Sequence, residues 1–447
     1  MLEGLEVSEK KFSELREYIL GSDFNSVRKQ LALEKINSQF RVTDFFDLHS
    51  DIVKNKSHVM SYDLTHTLGN FLHDIEISEN IEGTRKLARH GDFIISRLRS
   101  YLKEFAVVQN KTESQVFSTE YLVYRPKTDK ISSNTLLTFC LTDEVQTILN
   151  CSQYGTEHPR FYEFVFNELP LPKALFTLNN KINILFDEAF NKREQSHALY
   201  LQAEELLLEN IGLKNFKPSE KGTNIKSFKE SFLGTGRLDA EYYQPKYEEI
   251  IDIVRSFKNG FANLELFIDS YSTGYPYNSE IYMNENGISL VRINNLTKEG
   301  VNLSNAIQIP KEYLNLSKKD IAQENDILIS MSGTIGLSCV VREKNKIVIN
   351  QRIMKITSKN YNPHVLSMLL NSIIGKYQLE RIGTGGVQTN ISSNDIKQIF
   401  IPIIDNPTQQ QIAELVDESF RLRKESERLL EEAKEMVERE IEKVITN

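Results

Sequence analysis

At 447 residues the chain is too long for one ordinary hydrophobic core, so we expect roughly two to four domains. Hydrophobic residues at 40% and charged residues at 26% are ordinary globular values and exclude wholesale disorder. Every apolar run is shorter than the roughly 20 residues of a membrane span. Three cysteines without a CxxC pair give no disulfide framework. We therefore expect a cytoplasmic protein without a membrane partner.

The net charge of −8 is unevenly distributed along the chain. Residues 1–172 carry a net charge of −5 and residues 173–214 a net charge of −1. Residues 215–404 carry +3, and residues 405–447 carry −5. Much of the acidic excess thus lies in the last segment, so the total charge does not exclude a DNA-binding surface elsewhere.

The chain contains an internal repeat at an offset of about 230 positions. The matched segments are LPLPKALF (169–176) with IFIPII (399–404), Asp187–Phe190 with Asp417–Phe420, and GDFIIS (91–96) with NDILIS (325–330). Because their order is conserved, we predict a duplication in which each half is a globular domain followed by a long helix. The predicted domains are residues 1–172 and 215–404, and the predicted spacer helices are residues 173–214 and 405–447.

The first half is predicted to be mixed α/β, with a helix near residues 134–150 that Gly155 closes. Its main binding signal is a strip of basic residues, in which clustered cations suit phosphate contacts. The candidates in this strip are Arg85, Lys86, Arg89, Arg97, Arg99 and Lys103. The alternative for such a strip is a solvated strand edge guarded by basic residues.

The first spacer helix carries a heptad pattern. Leu185, Lys192, Leu199 and Leu206 form one series, and the small residues Ala189, Ser196 and Ala203 form another. Small residues at every seventh position let a second helix approach near the lower end of the ~8–10 Å interaxial range.

The second half contains short β-rich runs at residues 288–293, 326–330 and 346–356, and a predicted helix near 363–381 that Gly383 closes. A second basic strip comprises Arg342, Lys344, Lys346, Arg352, Lys355 and Lys359, of which Arg352 and Lys355 are candidates for phosphate contacts. Polar loops add candidates for base contacts, since Asn and Gln can pair with adenine. These are Tyr275, Tyr277, Asn278, Arg292, Asn294, Asn295, Gln388, Thr389 and Asn390.

The second spacer helix repeats the pattern of the first. Its large series is Leu415, Leu422, Leu429 and Met436, and its small series is Ser419, Ser426 and Ala433. We predict that the two helices pair antiparallel as a coiled coil, because a two-fold relation between the halves reverses one helix against the other. At ~1.5 Å per residue the pair would span about 50 Å and act as a rigid spacer.

Signals for catalysis are weak in this sequence. It has no HExxH motif, no His/Cys cluster with metal-ligand spacing, no GxGxxG or P-loop, and no Asn/Asp-Pro-Pro-Tyr of an amino-methyltransferase. We therefore assign no catalytic residue and no metal site, and expect a chain that is not an enzyme.

Residues 225–447 resemble a target-recognition domain of the specificity subunit of Type I restriction–modification enzymes. The resemblance is carried by GRLDAEYYQPKYEEI (236–250), STGYP (272–276), NDILISMSGTIG (325–336), INQRIMKI (349–356) and GTGGVQTNISSNDIKQIFIPI (383–403). Within NDILISMSGTIG it adds Ser332 and Thr334 as DNA-binding candidates. The first half matches only through the repeat and offers residues 155–160, with His158 and Arg160 as candidates, where the second has a Gly-rich loop.

The resemblance implies that each globular domain reads one half of a bipartite sequence in the major groove of double-stranded DNA, while the helix pair sets the unspecified gap. It also implies two methyltransferase subunits and restriction/translocase subunits as partners. S-adenosylmethionine, ATP and Mg²⁺ would be bound by those partners, and no cofactor by this chain.

Three other functions remain open at the level of sequence. The first is the DNA-recognition subunit of a Type IIB-like enzyme, whose partner fuses methylation and cleavage. The second is a repeat-built scaffold that binds only proteins. The third is an unrecognised nuclease, which cleavage of DNA by the purified chain with Mg²⁺ would reveal.

Overall fold

The computed structural model describes residues 10–73, 75–111, 113–219, 223–283, 286–303, 306–316, 318–344, 346–383 and 390–446. The chain divides into two compact units. The first unit comprises Met1–Glu194 and Arg423–Asn447, and the second comprises Gln195–Leu422. Each of the two long helices therefore contributes one part to each unit.

In its described residues, the first unit combines nine strands with five short helices and the first long helix. Its strands are β1 (Phe46–His49), β2 (Ile52–Tyr62), β3 (Ile77–Lys86), β4 (Phe93–Ser96), β5 (Phe105–Val107), β6 (Gln115–Phe117), β7 (Tyr121–Pro126), β8 (Gln153–Tyr154) and β9 (Arg160–Phe161). Its helices are α1 (Val27–Lys35), α2 (Val42–Phe45), α3 (Ser133–Leu141), α4 (Asp143–Cys151), α5 (Glu163–Asn167) and α6 (Ala174–Ile211), which continues into the second unit.

The second unit has the same mixture of strands and helices. Its strands are β10 (Phe261–Asn263), β11 (Ile268–Ser272), β12 (Ile288–Val291), β13 (Leu296–Thr297), β14 (Gly300–Val301), β15 (Ile307–Ile309), β16 (Ile321–Ala322), β17 (Ile327–Ser330), β18 (Ser338–Val340), β19 (Ile347–Ile349), β20 (Ile353–Ser358) and β21 (Phe400–Pro402). Its helices are α7 (Phe232–Thr235), α8 (Pro245–Arg255), α9 (Pro363–Asn371), α10 (Ile373–Gly383), α11 (Ser393–Lys397) and α12 (Asn406–Thr446), which continues into the first unit.

Each unit is built around one antiparallel four-stranded sheet with the same strand order. The order is β1-β7-β4-β5 in the first unit and β11-β20-β17-β18 in the second. The central strands β4 and β17 are buried along their whole length, and both descend from the repeated segment that begins at Gly91 and Asn325. The internal duplication seen in the sequence is therefore also present in the fold.

The remaining strands differ between the units. In the first unit, β2 and β3 form a long antiparallel ribbon with β6 beside it. In the second unit, β15-β12-β19-β16 form a mixed sheet in which β12 and β19 run parallel. These strands are the part of each unit that the repeat does not share.

The predicted helices at 134–150 and 363–381 are each two helices, which corrects that prediction. The first is interrupted at Thr142 and the second at Ser372, both in extended backbone conformation. Each hydroxyl donates a 2.7 Å hydrogen bond to a carbonyl of the preceding helix, that of Phe139 and that of Leu369 respectively. The first pair ends at Cys151, before Gly155, so Gly155 does not close it.

The long helices contact each other through their small residues in both units. In the first unit, the buried Ser426 hydroxyl donates to the Ala189 carbonyl at 2.7 Å. In the second, the buried Ser419 hydroxyl donates to the Ser196 carbonyl at 2.7 Å. Ser196 lies after Ala189 while Ser419 lies before Ser426, so the helices are antiparallel, as predicted. A short side chain reaches the opposite backbone only where the two helices lie close together.

The repeat maps these two contacts onto each other. Ala189 is equivalent to Ser419, and Ser196 is equivalent to Ser426, at an offset of 230 positions. The pair Ser426–Ala189 and the pair Ser419–Ser196 are thus equivalent positions, although the hydroxyl that donates comes from opposite members of the equivalent pairs. Each hydroxyl provides a hydrogen bond to a buried helix carbonyl. Larger side chains at these positions would push the helices apart.

The large heptad series is only partly buried. Leu422 and Leu429 are buried, whereas Leu185, Leu199, Leu206, Leu415 and Met436 are half-buried. Instead the neighbouring residues Phe186 and Leu207 are buried, and so are Ala203 and Ala433. Each helix packs on a globular core as well as on the other helix, since Phe186 lies in the same cluster as Val145. Its apolar face is therefore wider than a strict heptad seam.

Arg342, which the sequence placed in a basic strip, instead attaches the second unit's globular part to α12. Its Nη2 donates to Asp417 Oδ1 at 2.9 Å, and its guanidinium carbon lies 3.7 Å from the centroid of the Phe420 ring. The same Nη2 lies 3.1 Å from His364 Nδ1. Burial and the Arg342 charge lower the pKa of His364 to about 4, so this imidazole is neutral at pH 7.

We expect His364 to make the protein sensitive to acid. Its pKa is about 4 in the folded chain and 6.5 when exposed, so between these values the unfolded chain binds more protons. Stability should therefore fall as the pH decreases from 6.5 towards 4. The variant His364→Asn carries the residue that the first unit has at the equivalent position, Asn134. In this variant, the loss of stability that is due to protonation of His364 should disappear. Urea unfolding across this pH range measures it, with the exposed His158→Asn as control; parallel curves for His364→Asn and the natural chain would contradict the prediction.

Candidate nucleic-acid interface

Three predicted cations of the first unit lie around one carboxylate. Arg160 donates two hydrogen bonds to Glu120, at 2.9 and 2.6 Å. The Arg160 hydrogen bond, together with the nearby charges of Arg97 and Lys86, lowers the pKa of Glu120. Burial, reinforced by the Arg97 charge, lowers the pKa of Lys86. Glu120 thus holds like charges close together.

Arg99 and His158 extend this group. The Arg99 amide donates to the Pro159 carbonyl at 2.8 Å, and Arg99 Nη2 lies 3.1 Å from His158 Nδ1. We call Lys86, Arg97, Arg99, His158 and Arg160 the first cluster. It lies where β4 ends and β9 begins, and it brings four cationic side chains and one imidazole together.

The connection from β4 to β5 has an unusual backbone. Arg99 has φ of 48° and Lys103 has φ of 53°, in the left-handed region that glycine favours. A non-glycine residue there costs of order 1–3 kcal/mol, and such strain concentrates at functional sites. Arg99 and Lys103 are both predicted DNA-binding residues, and the strain in this connection is consistent with that role.

Two predicted residues of the first unit lie apart from the first cluster. Arg85 forms an ion pair with Asp63 at 2.7 Å. Arg89 is exposed just before β4, at the end of the strand opposite to Arg97, and its amide donates to Asp92. Both remain candidates from the sequence, but the geometry does not join them to the cluster.

In the second unit, six predicted residues gather around the turn between β19 and β20. Tyr275 bridges to Asn350 in this turn, and the Met331 amide donates to the Arg352 carbonyl at 2.9 Å. Ser332 pairs with Asn390, and the side chain of Ile293 lies beside Gly333. We call Tyr275, Asn294, Ser332, Thr334, Arg352 and Asn390 the second cluster. All of these except the buried Ser332 are exposed.

Burial removes Lys355, Asn295 and Tyr277 from the candidates for side-chain contacts to DNA, and the equally buried Ser332 contributes only its backbone bridge with Asn390 to the second cluster. Lys355 is 8% exposed and its Nζ donates to the Ile321 carbonyl at 3.0 Å, beside Asp326. Asn295 is 2% exposed and its amide bonds to the backbone of Arg292 and Asn302. Tyr277 is 6% exposed within an apolar cluster. A side chain held in this way cannot reach DNA without local unfolding.

The other candidates of the second unit lie at its edge or outside the described residues. Asn278 is exposed and caps a short 3₁₀ helix, where its side chain accepts from the Glu280 amide. Arg292 is half-buried beside Asn294. Gln388 and Thr389 lie outside the described residues.

The two clusters occupy the same place in the repeated fold. The Arg97 amide donates to the Glu120 carbonyl as the Met331 amide donates to that of Arg352. Residues 98 and 160 form a bridge, and so do residues 332 and 390. The left-handed positions of Arg99 and Lys103 are filled by Gly333 and Gly336 in the second unit. Arg97, Arg99 and Arg160 therefore fall on loops equivalent to those that carry Ser332, Thr334 and Asn390. Lys86 and Asn294 lie in the parts that the repeat does not share.

Sequence reasoning missed the role of Glu120. It holds Arg160 in the first unit, whereas the equivalent position in the second unit is itself cationic, at Arg352. Aligning the sequences of the two halves through β7 and β20 would have shown that the first half has an acidic residue, Glu120, where the second has a basic one, Arg352. The sequence does not show that Glu120 and Arg160, forty positions apart, form an ion pair.

Arg99 offers a test in which DNA binding and stability change in opposite directions. Arg99→Gly removes a cation and relieves the left-handed strain, so DNA affinity should fall while stability rises by about 1 kcal/mol. Arg99→Ala removes the cation but keeps the strain. Both substitutions should make the slope of log binding constant against log salt concentration less negative by roughly 0.9. Fluorescence anisotropy with duplex DNA measures this slope. Arg89→Ala is the control outside the cluster; an equal effect there would show that only the total charge matters.

In the described parts of the chain, no three His, Cys, Asp or Glu residues are grouped so that they could hold a metal ion. Within those parts, no helix is both long and apolar enough to cross a membrane. The three cysteines are free and buried.

Residues 261–434 match the family described as Type I restriction modification DNA specificity domain. Over 138 residues the chain is 26% identical to the specificity subunit of the Type I restriction enzyme EcoBI from Escherichia coli. This match covers 30% of the chain and 29% of that relative, so the chain matches less than a third of the relative's length. The resemblance seen in the sequence is confirmed for this segment.

Two solved structures give wider but looser matches. One is the HsdS subunit from Thermoanaerobacter tengcongensis, at 15% identity and a TM-score of 0.29, with 89% of this chain and 95% of that chain covered. The other is the S subunit of a Type-I restriction-modification system from M. genitalium, at 10% identity and a TM-score of 0.39, with 89% and 92% covered. TM-scores this low support no statement about detailed geometry.

Proposed function

Because residues 261–434 belong to the Type I restriction modification DNA specificity domain family, we propose that this chain is the specificity subunit of such a system. It reads a bipartite sequence in double-stranded DNA and catalyses no reaction itself. The family match carries this proposal. The two equivalent loop clusters support it, because a duplicated reader needs one DNA-facing surface on each unit.

Each cluster contributes a different kind of contact. The first cluster is rich in cations, so it supplies phosphate contacts and guanidinium groups that can donate to guanine. The second cluster combines Arg352 with Tyr275, Asn294, Thr334 and Asn390, whose amides and hydroxyls can read base edges. The two halves of the target therefore differ in sequence.

Two methyltransferase subunits and the restriction/translocase subunits are the proposed protein partners, and the complex acts on DNA in the cytoplasm. S-adenosylmethionine, ATP and Mg²⁺ are bound by those partners. In this division of labour the chain contributes binding and positioning, and the spacer helices with their exposed acidic and basic side chains provide the surface for assembly.

Methylome sequencing tests the proposal directly. Deletion of this gene from its host should abolish N6-methyladenine at one bipartite motif, and the gene supplied on a plasmid should restore it. A variant with Arg97, Arg99 and Arg352 changed to alanine should fail to restore methylation at that motif. If deletion leaves every methylated motif in place while a neighbouring methyltransferase is active, the proposal is wrong. A partner gene that fuses methyltransferase and nuclease would instead indicate a Type IIB-like system.

A further inference from the structure

The first unit contains a groove between its globular part and α6 that is filled by an arginine at the equivalent place in the second unit. The groove has a volume of about 510 Å³, and its lining includes Gln109, Asn134, Asp187 and Phe190. Asp187 and Phe190 belong to the repeated segment whose second copy contains Asp417 and Phe420.

Strand register identifies the equivalent residues. Val107 pairs with Phe93 as Val340 pairs with Ile327, so β5 corresponds to β18. Gln109 and Arg342 each lie two residues beyond these valines. Asn134 and His364 occupy the same position in α3 and α9. The residues around Arg342 in the second unit thus correspond one by one to the residues that line the groove in the first.

In the second unit, the guanidinium of Arg342 lies against the Phe420 ring and bonds to the Asp417 carboxylate. In the first unit, the shorter Gln109 bonds within its own segment instead, where its Nε2 donates to the Val107 carbonyl at 3.1 Å. No salt bridge to Asp187 is present within the described part of the chain. Asn134 and Asn183 both line the groove, and Asn134 Nδ2 donates to Asn183 Oδ1 at 3.1 Å.

We propose that this groove of the first unit binds the guanidinium of an arginine from a partner protein, between the Asp187 carboxylate and the Phe190 ring. A planar guanidinium can donate to a carboxylate and stack on an aromatic face at the same time, which an ammonium does less well. The groove also contains Asp129, so its charge repels DNA phosphates and favours a protein donor. Naming the methyltransferase subunit as that donor rests on the proposed function; the guanidinium site itself does not.

Ethylguanidinium is the probe for the site itself. Crystals of the full chain soaked with ethylguanidinium should show it beside Asp187, whereas ethylammonium should bind more weakly, and Asp187→Asn should abolish both. Arg342→Gln opens the equivalent groove of the second unit and should create a second bound ethylguanidinium beside Asp417. If the probe fills only the groove beside Asp417, or neither groove, the proposal is wrong.

Gln109→Arg tests whether a partner uses the groove. The new arginine should occupy its own chain's groove as Arg342 does. It should weaken binding of the methyltransferase subunit about tenfold or more, because the partner would lose a hydrogen bond between charged groups. Gln109→Met, which is similar in size and uncharged, is the matched control. DNA binding by the chain alone should be unchanged in both. The Gln109→Arg variant could still bind the methyltransferase subunit as tightly as the natural chain, although its new guanidinium is seen beside Asp187. This result would show that the partner does not use the groove, even if the proposed function holds.

Discussion

Exchanging residues 225–404 for the corresponding segment of a related chain should change one half of the methylated sequence and leave the other half and the gap unaltered. The structural reason is that the second unit has its own four-stranded sheet, its own core and its own loop cluster. Its DNA-facing candidates all lie between Tyr275 and Asn390, inside the exchanged segment. We expect this exchange to replace the whole of one half of the recognised sequence, which is a larger change in specificity than any single substitution should cause.

The exchange must preserve the contacts that attach the segment to α12. Arg342 bonds to Asp417, so this arginine should be kept in the inserted segment. The backbone N–H of Asn362 donates to Gln409 Oε1 at 2.8 Å, so this position should not be proline. Methylome sequencing reads the outcome, and exchange of residues 10–172 is the matched control for the other half-site. If one exchange altered both half-sites, the two units would not be independent readers.

Much of this fold was readable from the sequence because the duplication is strong. The repeated segments became equivalent strands and long helices, and the small heptad series contains the residues that form the hydrogen bonds from Ser419 and Ser426 between the helices. The interruption at Thr142 was also readable in principle, since Thr142 precedes Asp143 and Glu144, a pattern typical of a helix N-terminus. Local signals of this kind depend only on residues close together in the chain.

The parts that were not predicted depend on long-range burial. Lys355 and Arg342 both lie in a basic strip, and only the tertiary structure shows that they bond to Ile321 and Asp417 rather than face solvent. The strained backbone of Arg99 is equally invisible, because an arginine gives no sign of a positive φ angle. A basic strip therefore identifies where to look for phosphate contacts and does not identify which cations are free to make them.

The second large effect concerns the distance between the two half-sites. The antiparallel helices place Ala189 against Ser426 and Ser196 against Ser419, so a spacer can be lengthened without loss of either contact. Seven residues inserted between Ala189 and Ser196, with seven more between Ser419 and Ser426, would keep the small series nearly in phase, with a drift of ~20°. The helix pair would become longer by ~10 Å, or about three base pairs at ~3.4 Å rise.

We expect both half-sequences to remain methylated while the unspecified gap between them grows by about three base pairs. Insertion into α6 alone is the informative control, because it shifts one of the two serine contacts out of register and should destabilise the protein without defining a new gap. Methylome sequencing of strains that carry each variant gives the result. Methylation at the original gap by the doubly lengthened chain would show that the length of these helices does not set the distance between the half-sites.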